Sequence, residues 1–341
     1  MFETFKATLS PMLVMFLCML IGFGANKLKL APDNTATVLS KLENYFFVPA
    51  LIINTFMKYC TVQSVSENYQ LILYSAIALV IAIVIALPLS KVFARDDAYK
   101  RNIYKYALAL VIAKPLSRLF TQDAYPRKIY RYALSFANFS FMGNAIVPAI
   151  MGDKMLYNYM LYILPLNVAV YTWGVIILIP RGNNSGSALK NLLNPIFVSI
   201  IIGALLGLTG AAEYVPSFIK STVTNCASCM GPLAMILTGF VIGGYNIVGL
   251  LKNKAVYIAT ALRLIVLPLL FMVILHFIGA DKGALYLTLI AFGTPLGLNT
   301  VVFPAAYGGD TSTGASMAMI SHTLCVITIP LMYALLTAFV S

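Results

Sequence analysis

FANFSFMGNAIVPAIMGD, residues 136–153, and FGTPLGLNTVVFPAAYGGD, residues 292–310, read as two versions of one design. Asn144, Pro148 and Asp153 of the first align with Asn299, Pro304 and Asp310 of the second, and Pro295 adds a further interruption. Both runs are apolar and long enough to cross a bilayer, yet both carry residues that oppose a continuous helix. Proline removes a donor and glycine loosens the turn. In hydrocarbon, backbone groups released in this way need protein, water or ligand, so broken spans survive only where they are buried or line a cavity. Two such spans in corresponding halves point to a transporter's binding site, with breaks expected at Gly143, Pro148, Pro295 and Pro304.

The rest of the chain agrees with a membrane setting. Of 341 residues, 60% are hydrophobic and 10% charged, and the mean hydropathy is +0.88, more apolar surface than an aqueous fold can hide. A span needs about 20 apolar residues, and the pattern predicts ten: 8–26, 42–58, 69–90, 130–151, 155–179, 195–212, 223–246, 255–278, 283–307 and 312–340. The apolar run after Met12 reads as a retained first span rather than a signal peptide, because Glu3 offsets Lys6 and no small-residue cleavage site follows. The net charge of +12 does not indicate nucleic acid, since the basic residues sit in loops beside apolar spans. Cys226 and Cys229 form a lone CxxC without a nearby histidine, and small buried hydrophobes explain them better than a metal.

Lysine and arginine set the orientation, because they accumulate in cytoplasmic loops. Ten of them fall within residues 91–131, and alternation from there places seventeen inside against five outside. Both termini are therefore expected to be extracytoplasmic. Prolines relate the halves: Pro11 with Pro195, Pro49 with Pro232, Pro88 with Pro268. The offset is restored across the first broken span by subtracting one copy of a duplicated unit, since ALPLSKVFARDDAYKRNIYKYAL (86–108) recurs as AKPLSRLFTQDAYPRKIYRYAL (113–134). Each half then holds five spans, and an odd number inverts the second. The expected architecture is an all-α polytopic membrane protein, ten transmembrane helices in a 5+5 inverted repeat with spans 4 and 9 broken. Its parts are a first repeat over 1–179, a cytoplasmic linker over 180–194 and a second repeat over 195–341. The duplicated insert within 91–131 is too short in its apolar core to cross. It reads as a cytoplasmic interfacial helix, a longer loop or a duplication without function.

Chemistry has to be found among few ionisable groups. Glu43, Asp153 and Asp310 fall near span ends and are expected to be interfacial or capping. Arg263 lies a third of the way into span 8, from where it can snorkel or contact an anion. His276 and His322 are expected to be structural. Ser316 and His322 are six residues apart, which leaves them about 120° apart around a helix, so they form no Ser–His pair. No hydrolase or phosphate-binding motif accompanies them, and no enzyme is expected. What remains is uncharged: Asn138, Ser140, Asn144, Asn299 and Thr300. Each asparagine either ties off its own kink or offers an amide to a carboxylate beside the positive ends of half-helices.

The segments PALIINTF (49–56), Asn138 to Gly143, Trp173-Gly174, Asn194-Pro195, Pro232 to Ala234, Arg263 to Pro268 and 294–310 together resemble the auxin efflux carriers and their bacterial relatives. One departure stands out: the family places Gly-x-Pro after its asparagine, whereas this chain has Gly143-Asn144-Ala145 and delays the proline to Pro148. The resemblance implies a scaffold of spans 1, 2, 6 and 7, with spans 4 and 9 crossing at mid-membrane beside Asn138 and Asn299. It also implies export of small organic anions, auxin in plants and dicarboxylates for some bacterial relatives. The expected function is a plasma-membrane secondary transporter of a small organic anion working by alternating access. No cofactor is expected, and the coupling ion, proton or sodium, is left open. The partners are the anion and the lipid bilayer, not nucleic acid, with a homodimer through the scaffold as a further arrangement to test. The alternative is a membrane sensor that binds the anion without moving it.

Overall fold

A computed structural model describes residues 2–93, 129, 132–174, 178, 193–252, 254–296, 298–301 and 311–340. Pro304, Asp310 and nearly all of the 91–131 insert lie outside the described residues, as does most of the 180–194 linker.

The described elements are helices: α1 (Phe2–Lys27), α2 (Thr35–Leu42), α3 (Val48–Tyr59), α4 (Val62–Phe93), α5 (Asn144–Met151), α6 (Asp153–Ala169), α7 (Pro195–Leu208), α8 (Ser217–Gly243), α9 (Ile247–Leu251), α10 (Lys254–Ala261), α11 (Leu267–Phe277), α12 (Lys282–Gly293) and α13 (Ser312–Val340). Among the described residues, five helical stretches are long and apolar enough to cross a membrane: Phe2–Lys27, Thr35–Tyr59, Ser217–Gly243, Val256–Phe277 and Ser312–Phe339. Several of these are not plain α-helix. π turns over Glu43–Phe47 and Leu262–Val266 run directly into Pro49 of α3 and Pro268 of α11. A proline ring collides with the carbonyl one turn back, and widening that turn relieves the collision without ending the helix.

Two groups of helices pack separately before they meet. α1 lies along α8, and α3 packs between α7 and α8. The α1–α8 contact is backbone against backbone: a Cβ at Gly22 would run into the Ile236 carbonyl, and one at Gly239 into the Met19 carbonyl. Lipid tails are as apolar as leucine, so close approach of small residues is what holds membrane helices together. The outer face of α1 (Leu13, Val14, Leu17, Leu20 and Ile21) stays exposed, while Met12 and Met19 turn inward. In the second group α6 packs on α4 and α5, α11 on α12, and α13 on α10 and α12. α13 also lies against α1, which joins the groups. Lys27 at the end of α1 donates to the Tyr245 carbonyl just beyond α8 at 2.9 Å, so these two ends share one face of the molecule.

Two charged residues stand elsewhere than their sequence positions suggested. Glu43 was expected at an interface, but it is fully enclosed in its π turn, packed toward α8, and neither carboxylate oxygen has a hydrogen-bond partner. Arg263 does not snorkel: it is buried in the interior, where its Nη1 has a hydrogen-bond partner and its Nε has none.

Candidate functional site

The interior is organised by two interruptions that cross. The first falls at 136–138, between a short helix over 132–135 and the π turn Phe139–Gly143 that leads into α5. The second falls at 294–296, between α12 and the helical residues 299–301. Ala137 and Leu296 pair as an isolated antiparallel bridge, and the Asn138 amide donates to the Pro295 carbonyl at 2.8 Å. Each break thus satisfies part of the other's released backbone, as burial in an apolar interior requires. The Leu296 N–H is taken by Ser321 Oγ at 3.0 Å.

This corrects where the first helix breaks. Gly143 and Pro148 do not interrupt it: the chain passes through both as π turn and then α-helix. Gly143 instead leaves room for the Tyr159 hydroxyl, which donates to the Phe139 carbonyl at 2.9 Å. Pro148 has no N–H to give the Asn144 carbonyl but stays within the helix. Pro295 does stand at its break. The Ala137–Leu296 bridge also changes the pairing of the halves, since a local two-fold through it relates Asn299 to Ser140 rather than to Asn144.

Four helix ends meet at the crossing, and Arg263 serves the two negative ones. Its Nη1 donates to the Leu134 carbonyl at 3.1 Å, in the last turn of the short helix, and its guanidinium lies 5.6 Å from the centre of the Phe292 ring, in the last turn of α12. A cation at helix C-termini is electrostatically favoured, and an aromatic face adds to it. Phe292 is held in turn by stacking on Phe271 at 4.3 Å. The positive helix ends begin at Asn138 and Asn299.

Asn138 occupies the N-cap position of its half-helix, but its side chain does not cap it. Nδ2 instead lies 3.1 Å from His322 Nε2, and His322 Nδ1 lies 2.7 Å from the Ala318 carbonyl. All of these groups are buried. Asn299 is engaged differently, donating from Nδ2 to the Tyr132 hydroxyl at 2.9 Å. Thr300 is buried with its carbonyl against Gly314, and Ser140 is partly exposed in the π turn. The residues expected to act together are therefore distributed: Asn138 faces His322, Asn299 faces Tyr132, and Asn144 faces a cavity.

That cavity, about 250 Å³, lies between α1, α3 and α8 on one side and α5 on the other. Its polar lining includes Asn54, Lys58, Asn144, Asp153, Thr224 and Ser228. Thr224 Oγ1 donates to Asn54 Oδ1 at 3.0 Å, whereas Asn144, 3% exposed, has an Oδ1 without a partner. A second, small space of about 10 Å³ is lined by Met12, Met15, Phe16, Met19, Met142, Met235, Val326 and His322. Met15 lines both spaces. Methionine's unbranched, polarisable side chain suits an irregular seam.

His322 is the residue that sequence reasoning placed in a structural role and the fold brings to the crossing. A histidine midway along an apolar span was the available signal. Ser316 donates to the Leu250 carbonyl and has no part in this arrangement. Among the described residues no three His, Cys, Asp or Glu side chains gather as a metal site.

A family described as membrane transport protein matches the chain over residues 7–104 and 184–333. The interval between the matched parts holds the second copy of the duplicated unit and the first broken helix. No curated protein matches the chain.

Proposed function

We propose that this chain, which belongs to the membrane transport protein family of auxin efflux carriers and their relatives, carries a small organic anion across the plasma membrane by alternating access. The family's members are transporters, and this chain is a multi-pass membrane protein. The observation that carries the finer reading is the Asn138–Pro295 hydrogen bond, which puts the positive ends of two half-helices at one point in an apolar interior. An anion is stabilised there by backbone N–H groups and amides without a buried lysine.

The polar cavity supports the same reading. It stands at the end of α3 that carries Lys58, away from the face where Lys27 meets Tyr245. By the distribution of basic residues that end is extracytoplasmic. In this arrangement the site is approached from outside and sealed by the methionine seam. Reorientation of α4–α6 and α10–α13 against the scaffold of α1, α3, α7 and α8 would open the opposite path, and the scaffold offers the surface for a homodimer. The expected halves of five spans each, the second inverted, would give the symmetry such a movement needs. The efflux direction follows from the family resemblance.

The test is flux of radiolabelled malate and indole-3-acetate in proteoliposomes, with imposed proton or sodium gradients. Saturable, protein-dependent flux of either is expected. Binding of an anion without any flux under every gradient would refute transport in favour of a sensor.

A further inference from the structure

The hydrogen bonds around His322 determine where its protons are. A carbonyl oxygen only accepts, so the 2.7 Å contact with Ala318 requires a proton on Nδ1. In the neutral ring Nε2 is then an acceptor, and the Asn138 NH2 group at 3.1 Å donates to it. The rest of the Asn138 amide, its oxygen, is turned away from the histidine. An oxygen is the wrong group to offer a carboxylate.

We propose that His322 is a positioning residue for Asn138 and the proton acceptor of the transport cycle. A proton taken up at Nε2 turns the Asn138 amide over, and the group offered to the ligand changes from an oxygen to an NH2. With both ring nitrogens protonated, Nε2–H cannot face an NH2 group, but it is well matched to Oδ1. Turning the amide about its last side-chain torsion exchanges O and N at nearly constant shape, so no backbone moves. The amide then has donors directed away from His322, beside the N–H groups of the half-helix. Proton and carboxylate therefore bind together, each strengthening the other by the same factor. One proton enters with each anion and leaves with it. This rests on the reading of the crossing as an organic-anion site.

The surroundings leave His322 as the group that titrates at this point. The space before it is otherwise lined by methionine, phenylalanine and valine. Arg263 is the buried cation on the π turn that packs against α13, and its Nη1 is committed to Leu134. Cys325 on α13 directs its thiol to the His322 carbonyl at 3.0 Å. The other ionisable groups on elements packed against α13 are Glu3, Lys6, Cys18 and Lys27 of α1, Lys220, Cys226 and Cys229 of α8, Lys254 and Tyr257 of α10, and Lys282 and Tyr286 of α12. None of these lines the space.

The chain has two histidines, so nitrogen-labelled histidine in the full-length protein gives two imidazoles by NMR, and His276→Gln tells them apart. Without ligand, near pH 8 and well above the ordinary histidine range, His322 should be the Nδ1–H tautomer, with an Nε2 signal that Asn138→Ala shifts. Malate or indole-3-acetate added near pH 6.5, where both histidine forms are accessible, should convert His322 and not His276 to imidazolium. Uptake of one proton per anion bound should accompany this. Wild-type affinity should fall by up to about tenfold per pH unit, the limit for one linked proton. His322→Gln should bind with no such dependence. An Nε2–H tautomer in the free protein, or anion binding that leaves the His322 signals unchanged, overturns the proposal. If calorimetry shows that neither probe binds, the organic-anion reading fails instead. The tautomer and the Asn138→Ala shift then decide whether His322 positions Asn138.

Discussion

Arg263 reaches the carbonyl of Leu134, 129 residues away in sequence, and thereby places the only charge at the crossing that the described hydrogen bonds record on the negative end of a broken helix. A substrate would have to compete with a helix terminus for it. Arg263→Met should therefore act on stability more than on binding. Loss of a hydrogen bond to a charged group costs about 1.5–3 kcal/mol. A lowered melting midpoint is expected in detergent, with anion affinity per folded molecule unchanged.

Asn144 should behave in the opposite way. It lines the open cavity and its Oδ1 lacks a partner, so little internal bonding is lost on truncation. If an incoming anion uses its amide or the Lys58 ammonium, Asn144→Ala and Lys58→Gln should each weaken affinity by roughly ten- to a hundredfold. Their melting midpoints should stay near wild type, and Cys229→Ser should change neither quantity. Equilibrium binding of malate and indole-3-acetate to purified variants measures this.

Asn299 and Tyr132 form a pair that joins the second crossing helix to the helix before the first break. Asn299→Ala and Tyr132→Phe should each cost about 1 kcal/mol, and the double variant little more than either, because both remove one bond. Additive losses in a double-mutant cycle would mean that Asn299 does other work, including contact with the ligand.

Glu43 is enclosed with both oxygens unpartnered, an expensive state for a carboxylate. Glu43→Gln keeps the shape and removes the possibility of charge. The variant should melt at the same temperature as wild type or higher when scanned near pH 8, above the ordinary carboxylate range.

Sidedness is the remaining expectation. Single cysteines in a cysteine-free background at 100 and 127 should resist an impermeant thiol reagent in intact cells, and one at Lys58 should react. Labelling at 100 or 127 from outside would reverse the orientation and place the cavity on the cytoplasmic face.

Much of this architecture was legible because bilayer thickness and hydrogen-bond satisfaction act on local sequence. The all-helical membrane character of the chain and the presence of interruptions within 136–153 and 292–310 follow from length and composition. What was misread depends on contacts distant in sequence. Gly143 and Pro148 look like breakers, yet neighbouring helices let the chain stay helical through them, while the true break lies where another backbone crosses at Ala137. No local signal marks that point. Arg263 was judged by its depth along a span, which says nothing of which way it faces. His322 was discounted because nothing in the sequence reveals that an asparagine 184 residues earlier lies against it.

The glycine contact between α1 and α8 has a consequence for how the protein is made. Helices whose ends meet through Lys27 and Tyr245, 218 positions apart, cannot pair until most of the chain has left the ribosome. At the usual pace of synthesis, about 5–20 residues per second, α1 waits some tens of seconds in the bilayer with Gly22 unpaired. During that interval its bare backbone groove is open to any other small-residue helix, including the α1 of a second nascent chain. Biogenesis of this protein therefore has a vulnerable period set by chain order.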